Sequence, residues 1–136
     1  MKKHFKKITL FIIVLCLIFA LSACSSKQEF ESVRTFELNF MKEEYDEKYN
    51  EVEKPIELEP DANYKIKITS VCESGTITIN ANYINADGEM KIVNMSAPCD
   101  DNISLTRGTT DLITFTVLID SETEGNIKVD VLSDNT

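Results

Sequence analysis

The sequence predicts an all-β chain folded as a single antiparallel β-sandwich of seven or eight strands, Ig-like or jelly-roll-like. Three observations carry that expectation. From Lys54 onward apolar and polar residues alternate with period two, so each segment has one dry face and one wet face. The alternating segments recur at roughly ten-residue spacing, separated by Gly, Pro, Asn and Asp, which are turn formers. About 110 residues, once the amino-terminal segment is set aside, suit one domain with one modest core.

The first strand is expected where Phe36, Leu38 and Phe40 alternate with Glu37 and Asn39. The stretch 41–53 is ambiguous. Met41, Tyr45, Tyr49 and Val52 have helical spacing, with Glu44 and Lys48 as an i,i+4 pair, yet the density of acids favours a long acidic turn. Pro55 to Leu58 reads as a short edge strand, where a residue without an N–H is tolerated. Tyr64, Ile66 and Ile68 share the inner face of the next strand, and Ile77, Ile79, Ala81 and Tyr83 that of the strand after Gly75. Ala86-Asp87-Gly88 is a turn of the Asp-Gly hairpin kind. Strands follow at Met90 to Val93 and Ile103 to Leu105, then one with Ile113, Phe115, Val117 and Ile119 inward, and a last one with Ile127, Val129 and Val131 inward.

An internal correspondence runs through this pattern. Leu58, Tyr64 to Ile68 and Gly75 to Ile79 parallel Leu105, Asp111 to Phe115 and Gly125 to Val129. Each copy reads as a lead-in strand plus a hairpin closed near Gly. A duplication and the ordinary likeness of any two β-hairpins both account for it, and both give two sheets.

Charge divides the chain in two. The first 23 residues hold four lysines and no acid, whereas the rest carries ten Lys and Arg against 23 acids, a formal charge of −13. Such a balance argues against nucleic-acid partners, which need a basic face to neutralise phosphates. Lys2, Lys3, Lys6 and Lys7 are followed by an apolar run from Ile8 to Ala20, which as a helix would be about 20 Å long, short of a membrane's roughly 30 Å. Leu21-Ser22-Ala23-Cys24 then stands before a polar run.

Residues 1–23 together with Cys24 resemble a bacterial lipoprotein signal peptide with a complete lipobox. The resemblance implies cleavage before Cys24, whose amine becomes the new N-terminus, and a diacylglycerol on its sulfur, which anchors the chain at the extracytoplasmic face of the cell membrane. The expected organisation is a signal peptide over 1–23, a lipidated linker over 24–33 and the sandwich over 34–136. The layout also resembles, loosely, the small β-sandwich lipoproteins of bacterial envelopes, which implies a fold only.

With Cys16 removed and Cys24 lipidated, Cys72 and Cys99 remain in a compartment that permits oxidation. The predicted topology puts them at one end of the sandwich, so a disulfide between them is expected. Asp100 and Asp101 beside Cys99 and the absence of a CxxC pair argue against a catalytic thiol.

The single histidine is His4, so the mature chain has no Ser-His-Asp or Cys-His arrangement. Asp120, Glu122, Glu124 and Gly125 open like a calcium loop, but the twelfth position is Val131, so the run reads as an acidic hairpin turn, and Asp100-Asp101-Asn102 likewise as a turn. No catalysis, metal or cofactor is expected.

The expected role is therefore a membrane-anchored, non-catalytic binding module of the envelope. Its partner would be a cationic protein meeting the acidic stretch Glu43 to Glu53. The alternatives are a structural spacer and an accessory carbohydrate module. The last would use Tyr45 and Tyr49 as wet aromatics, or the polar strand face Thr76, Thr78, Asn80 and Asn82, to hold a glycan.

Overall fold

The structure, a computed structural model, describes residues 28–134. The lipobox and Cys24 lie outside the described residues. Among the described residues no helix is long and apolar enough to cross a membrane.

The predicted alternation folds into eight strands: β1 (Glu31–Phe40), β2 (Glu51–Glu57), β3 (Tyr64–Ser74), β4 (Ile77–Ile84), β5 (Met90–Ser96), β6 (Cys99–Leu105), β7 (Leu112–Ile119) and β8 (Glu124–Ser133). They form two antiparallel four-stranded sheets, the first in the order β1-β8-β3-β6 and the second in the order β2-β7-β4-β5. Consecutive strands cross from one sheet to the other at every connection except β4 to β5, which gives an eight-stranded jelly roll and sets aside the Ig-like alternative. The β4–β5 hairpin turns where expected: Asn85 Oδ1 accepts from the backbone N–H groups of Asp87 (3.1 Å) and Glu89 (2.9 Å).

The internal correspondence acquires a different meaning. Moving each strand four places along the chain turns the first sheet's order into the second sheet's order read backwards, so β2-β3-β4 stands to β6-β7-β8 as one half of the jelly roll to the other. The fully buried pairs Ile66 and Ile113, Ile68 and Phe115, and Ile77 and Ile127 are equivalent in this sense. The expected hairpins, however, do not exist. β3 and β4 lie in different sheets, as do β7 and β8, because the links after Ser74 and after Ile119 leave their sheets and run side by side.

A hydrogen-bond network joins those two crossings. Ser74 Oγ donates to Glu122 O (2.6 Å) and Thr76 Oγ1 to Asp120 Oδ2 (2.7 Å). Thr123, 2% exposed, donates to Thr76 O (2.8 Å) and accepts from Asp120 N–H (3.0 Å). Removing the hydroxyl leaves the part-buried Thr76 carbonyl and Asp120 N–H without their partner, so Thr123→Val is expected to cost about 1 kcal/mol. A denaturant midpoint unchanged from the parent would show the network to be idle.

Two boundaries move. β1 begins at Glu31, inside the segment assigned to the 24–33 linker; Glu31 and Ser32 pair with Ser133 and Leu132. An edge strand can be polar on both faces, so hydrophobic pattern does not announce it. The acidic segment is neither a long helix nor one long turn. Two single 3₁₀ turns, Lys42–Glu44 and Glu47–Tyr49, lead directly into β2, whose pairing with β7 extends back to Glu51. Val52 joins the partly buried side chains around the core, which explains why a strand continues through so many acids.

The core lies between the sheets. Ile66, Ile68, Ile127 and Val129 of the first meet Ile79, Ala81, Ile113 and Phe115 of the second, all 0% exposed. Phe36 packs edge-on to Phe115, ring centroids 6.0 Å apart.

Surface carboxylates fasten the ends. Asp134 accepts from Asn63 N–H (2.7 Å) and Nδ2 (2.6 Å) and from the Gln28 amide. Asp130 accepts from Ser32 and Thr35, and Asp120 from Thr76 and Glu122 N–H. These bonds favour the ionised form, so all three carboxyls titrate below the ordinary aspartate value of 3.8. A carboxyl whose folded pKa is depressed stabilises the fold above its unfolded pKa, and that contribution disappears as pH falls through the folded value. Stability is therefore expected to hold steady down to about pH 4 and to fall below it. Denaturant midpoints measured from pH 7 to pH 2.5 check this, and a flat profile below pH 4 would contradict it.

Candidate functional site

The outward side chains of the two sheets differ in kind. Across the first sheet charges of opposite sign face each other: Glu37 stands opposite Lys128, Lys67 opposite Asp130, and Lys67 also lies 3.9 Å from Asp100. That face neutralises itself and is an ordinary solvated surface.

The second sheet is built otherwise, because the inward positions of β7, β4 and β5 absorb the apolar residues and leave uncharged ones outside. The pairing registers place them in rows. Leu118, Thr78 and Ser96 form one row; Thr116, Asn80 and Asn94 the next; Thr114, Asn82 and Ile92 the third. The rows end at Leu112 on β7 and at Ile84 opposite Met90. No charged side chain projects outward from these three strands among the described residues. This occurs on a chain whose composition is 27% charged.

One end of the face is apolar. Eight large hydrophobic side chains are exposed among the described residues, and Ile84 (55%), Met90 (65%), Ile92 (55%) and Leu112 (43%) meet here. Beside them lies a groove of about 250 Å³ whose lining includes Tyr83, Ile84, Met90, Leu112 and Thr114, and its wall contains Asn82, whose buried Oδ1 has no hydrogen-bond partner. Small-molecule sites are usually larger, about 300–1,000 Å³. A shallow uncharged face with an apolar end suits a macromolecular partner better than a small ligand.

Acids border this face along β2 and at its hairpin end. β2, at the sheet's edge, points Glu51, Glu53 and Glu57 outward beside Leu118, Thr116 and Leu112. Asp87 and Glu89 close the hairpin end, and Glu59 and Asp111 rim an open hollow that continues past Leu112. An uncharged centre with a charged rim is the usual anatomy of a protein–protein interface.

Of the residues singled out from sequence, Thr78, Asn80 and Asn82 belong to this face, whereas Thr76 is held by Asp120. Glu43, Glu44 and Glu47 sit exposed on the 3₁₀ turns, and Glu51 and Glu53 form part of the rim. Tyr49, 70% exposed, and Tyr45, half-buried, line one hollow of about 110 Å³ together with Phe40 and Met41, so the structure brings the two together at the 3₁₀ turns, away from the outer face of β7, β4 and β5. No aromatic side chain projects outward from the second sheet among the described residues. Sequence reading missed the β7 and β5 contributions. Uncharged period-two positions at Thr114, Thr116 and Leu118 were the available signal, but only the ladder shows that they lie beside Asn80.

The expected disulfide is corrected. Cys72 and Cys99 are at one end of the sandwich, as predicted, but both are free thiols. Register is the reason: Cys99 stands opposite Ser70, and Cys72 lies two residues further along β3. That diagonal separation is about 7–8 Å, against about 4.4–6.8 Å between the Cα atoms of a disulfide. Cys99 is instead engaged with Ser70, Sγ to Oγ 3.1 Å, and the Cys72 thiol donates to Ser74 O (3.2 Å). Alkylation without reductant should label both thiols in the native protein, and a mass two protons lighter with no labelling would reinstate the bond.

Asp120 spends its carboxylate on Thr76, Glu122 and Thr123, so the acidic run is a sheet crossing and not the hairpin turn expected. Among the described residues no three of His, Cys, Asp and Glu gather where a metal ion could sit.

No protein-family model matches the chain, and no curated protein matches it. Among solved structures it is similar to TmCBM61, determined in complex with beta-1,4-galactotriose, at 16% identity and TM-score 0.38, over 61% of this chain and 60% of that one. It is also similar to PirA, at 14% identity and TM-score 0.38, over 79% of this chain and 99% of that one.

Proposed function

We propose that this is a non-catalytic binding module, held at the extracytoplasmic face of the membrane by a lipid on Cys24, whose outer β2-β7-β4-β5 face takes a cationic envelope protein. The observation that carries the reading is the uncharged outer surface of β7, β4 and β5 inside an acidic rim. Uncharged Thr, Asn and Ser side chains cost less to desolvate than ions, and the apolar end at Ile84, Met90, Ile92 and Leu112 supplies the area that association needs. The rim acids speed encounter with a positively charged partner and weaken it against salt. Support for the tether is the lipobox sequence. The partner contact moves from the acidic stretch alone to the whole face, of which Glu51 and Glu53 are one border.

The test is retention of envelope components on the full-length protein in its own membrane, after crosslinking at low and high salt, beside an array of neutral glycans. Thr116→Lys, in the middle of the face, should abolish retention. Replacing Glu51, Glu53 and Glu57 by Gln should weaken it several-fold and flatten its salt dependence. Salt-resistant binding to neutral glycans, untouched by the rim changes, would make the protein a carbohydrate module instead. Changing Cys24 to Ala should release it from the membrane fraction, and an equally membrane-bound variant would refute the tether.

A further inference from the structure

The four sheet edges of a jelly roll each expose a row of backbone N–H and C=O groups, and such edges recruit other strands unless guarded. Three here are guarded. β1 is interrupted by a register shift between Ser32 and Arg34. β2 carries Pro55 within it, which has no N–H to offer. β6 presents Asp100 and Asp101 in succession.

β5 differs from all of them. Its seven residues, Met90 to Ser96, contain no Pro, no Gly and no bulge, and pair with β4 alone. Its single charge, Lys91, is taken by Glu89 at 2.8 Å. Met90 and Ile92 stand exposed along it and continue into Ile84 and Leu112, while Asp87 in the turn and Asp111 beside Met90 and Leu112 leave that end with unpaired negative charge. Backbone groups, apolar side chains and negative charge thus converge at one edge.

We propose that β5 is a strand-docking edge, at which an extended segment carrying apolar and basic side chains adds to the second sheet as a fifth strand. Its backbone extends the ladder, its apolar side chains cover Met90 and Ile92, and its Lys or Arg residues meet the acids of the hairpin end. This mode of recognition draws affinity from main-chain hydrogen bonds and specificity from alternate side chains. The acid rim selects the occupant: a second copy of this chain would bring the same acids against their like, whereas a basic strand is attracted. The inference rests on the proposed function only in taking the partner to be cationic.

The test uses the full-length protein in vesicles of neutral phosphatidylcholine and the fluorescent peptide Lys-Val-Lys-Ile-Lys-Val-Lys. Three companions accompany it: the same peptide with Glu for every Lys, one with alternate backbone nitrogens methylated, and a protein carrying Ile92→Ser or, as a second exposed position, Met90→Ser, which remove apolar surface without changing charge. The Lys peptide should bind and lose affinity several-fold between about 50 and 500 mM salt. Each of the three changes should lower affinity at least tenfold.

Equal binding of the methylated peptide would overturn strand addition, because its side chains are intact and only the ladder bonds are lost. Equal binding of the Glu peptide would overturn the charge argument, and no binding of any peptide would overturn the whole. A concentration-dependent dimer in sedimentation, abolished by Ile92→Ser, would make a second copy the occupant. Thr116→Lys separates this inference from the proposed function. It should leave peptide affinity at β5 unchanged while removing the envelope partner, so each can fail without the other.

Discussion

Phe115→Ala is expected to remove most of the stability of the domain. The ring is 0% exposed at the centre of β7, an inner strand of the second sheet, and its edge-on contact with Phe36 bridges to β1 of the first. Truncating a buried Phe costs about 3–5 kcal/mol, which combines lost transfer energy with the cavity left where neighbours cannot collapse. Ile68, Ile79, Ile113 and Val129 are anchored by ladders on both sides and cannot close the gap. Domains of this size have about 5–15 kcal/mol in total, so the variant should unfold at a small fraction of the parent's denaturant concentration. Leu112→Ala on the same strand, at a residue 43% exposed, should stay within about 0.5 kcal/mol. Urea titrations of both variants decide the point; similar losses at the two positions would mean that the inward and outward faces of β7 are wrongly assigned.

Gly75→Ala should come next in effect. Gly75 lies in the link from β3 to β4 with φ of +68°, and a Cβ there would fall 2.5 Å from both Asp120 Oδ1 and the backbone nitrogen of Thr123. Two costs combine: about 1–2 kcal/mol for a side chain in the left-handed region, and about 1–3 kcal/mol for pushing apart two crossings that Thr76, Asp120 and Thr123 hold together. Gly88 is the control. Its φ is +80°, but nothing lies within 4 Å of a Cβ, so Gly88→Ala carries the first cost alone. Denaturant midpoints should therefore fall further for Gly75→Ala than for Gly88→Ala. Equal losses would show that the two crossings are not in contact.

Much of this architecture was legible because a strand's side chains alternate, so a buried face writes itself into the sequence at every second residue. Tyr64, Ile66 and Ile68, or Ile113, Phe115 and Val117, could be placed inward without coordinates, and all six are buried. The amino-terminal half of β2 and the start of β1 were less legible, since edge strands bury little and Glu31, Glu51 and Glu53 satisfy the ladder with backbone alone. Of the candidate site, the polar positions Thr78, Asn80 and Asn82 were visible on one strand, but an uncharged face is a property of three strands in register.

By itself, then, the sequence determined the class of fold, the inward residues of nearly every strand, the β4–β5 turn at Asp87-Gly88 and the strong acidity of the chain beyond residue 23. All of these are local, since they depend on a residue and its near neighbours along the chain. The tertiary structure decided which strands are partners. It turned two expected hairpins into sheet crossings, set Ser70 and not Cys72 opposite Cys99, and brought Thr116 from β7 beside Asn80 from β4. Pairing is nonlocal because every antiparallel ladder offers the same hydrogen bonds; only the packing of two whole faces around Phe115 selects one register, and with it the surface that faces a partner.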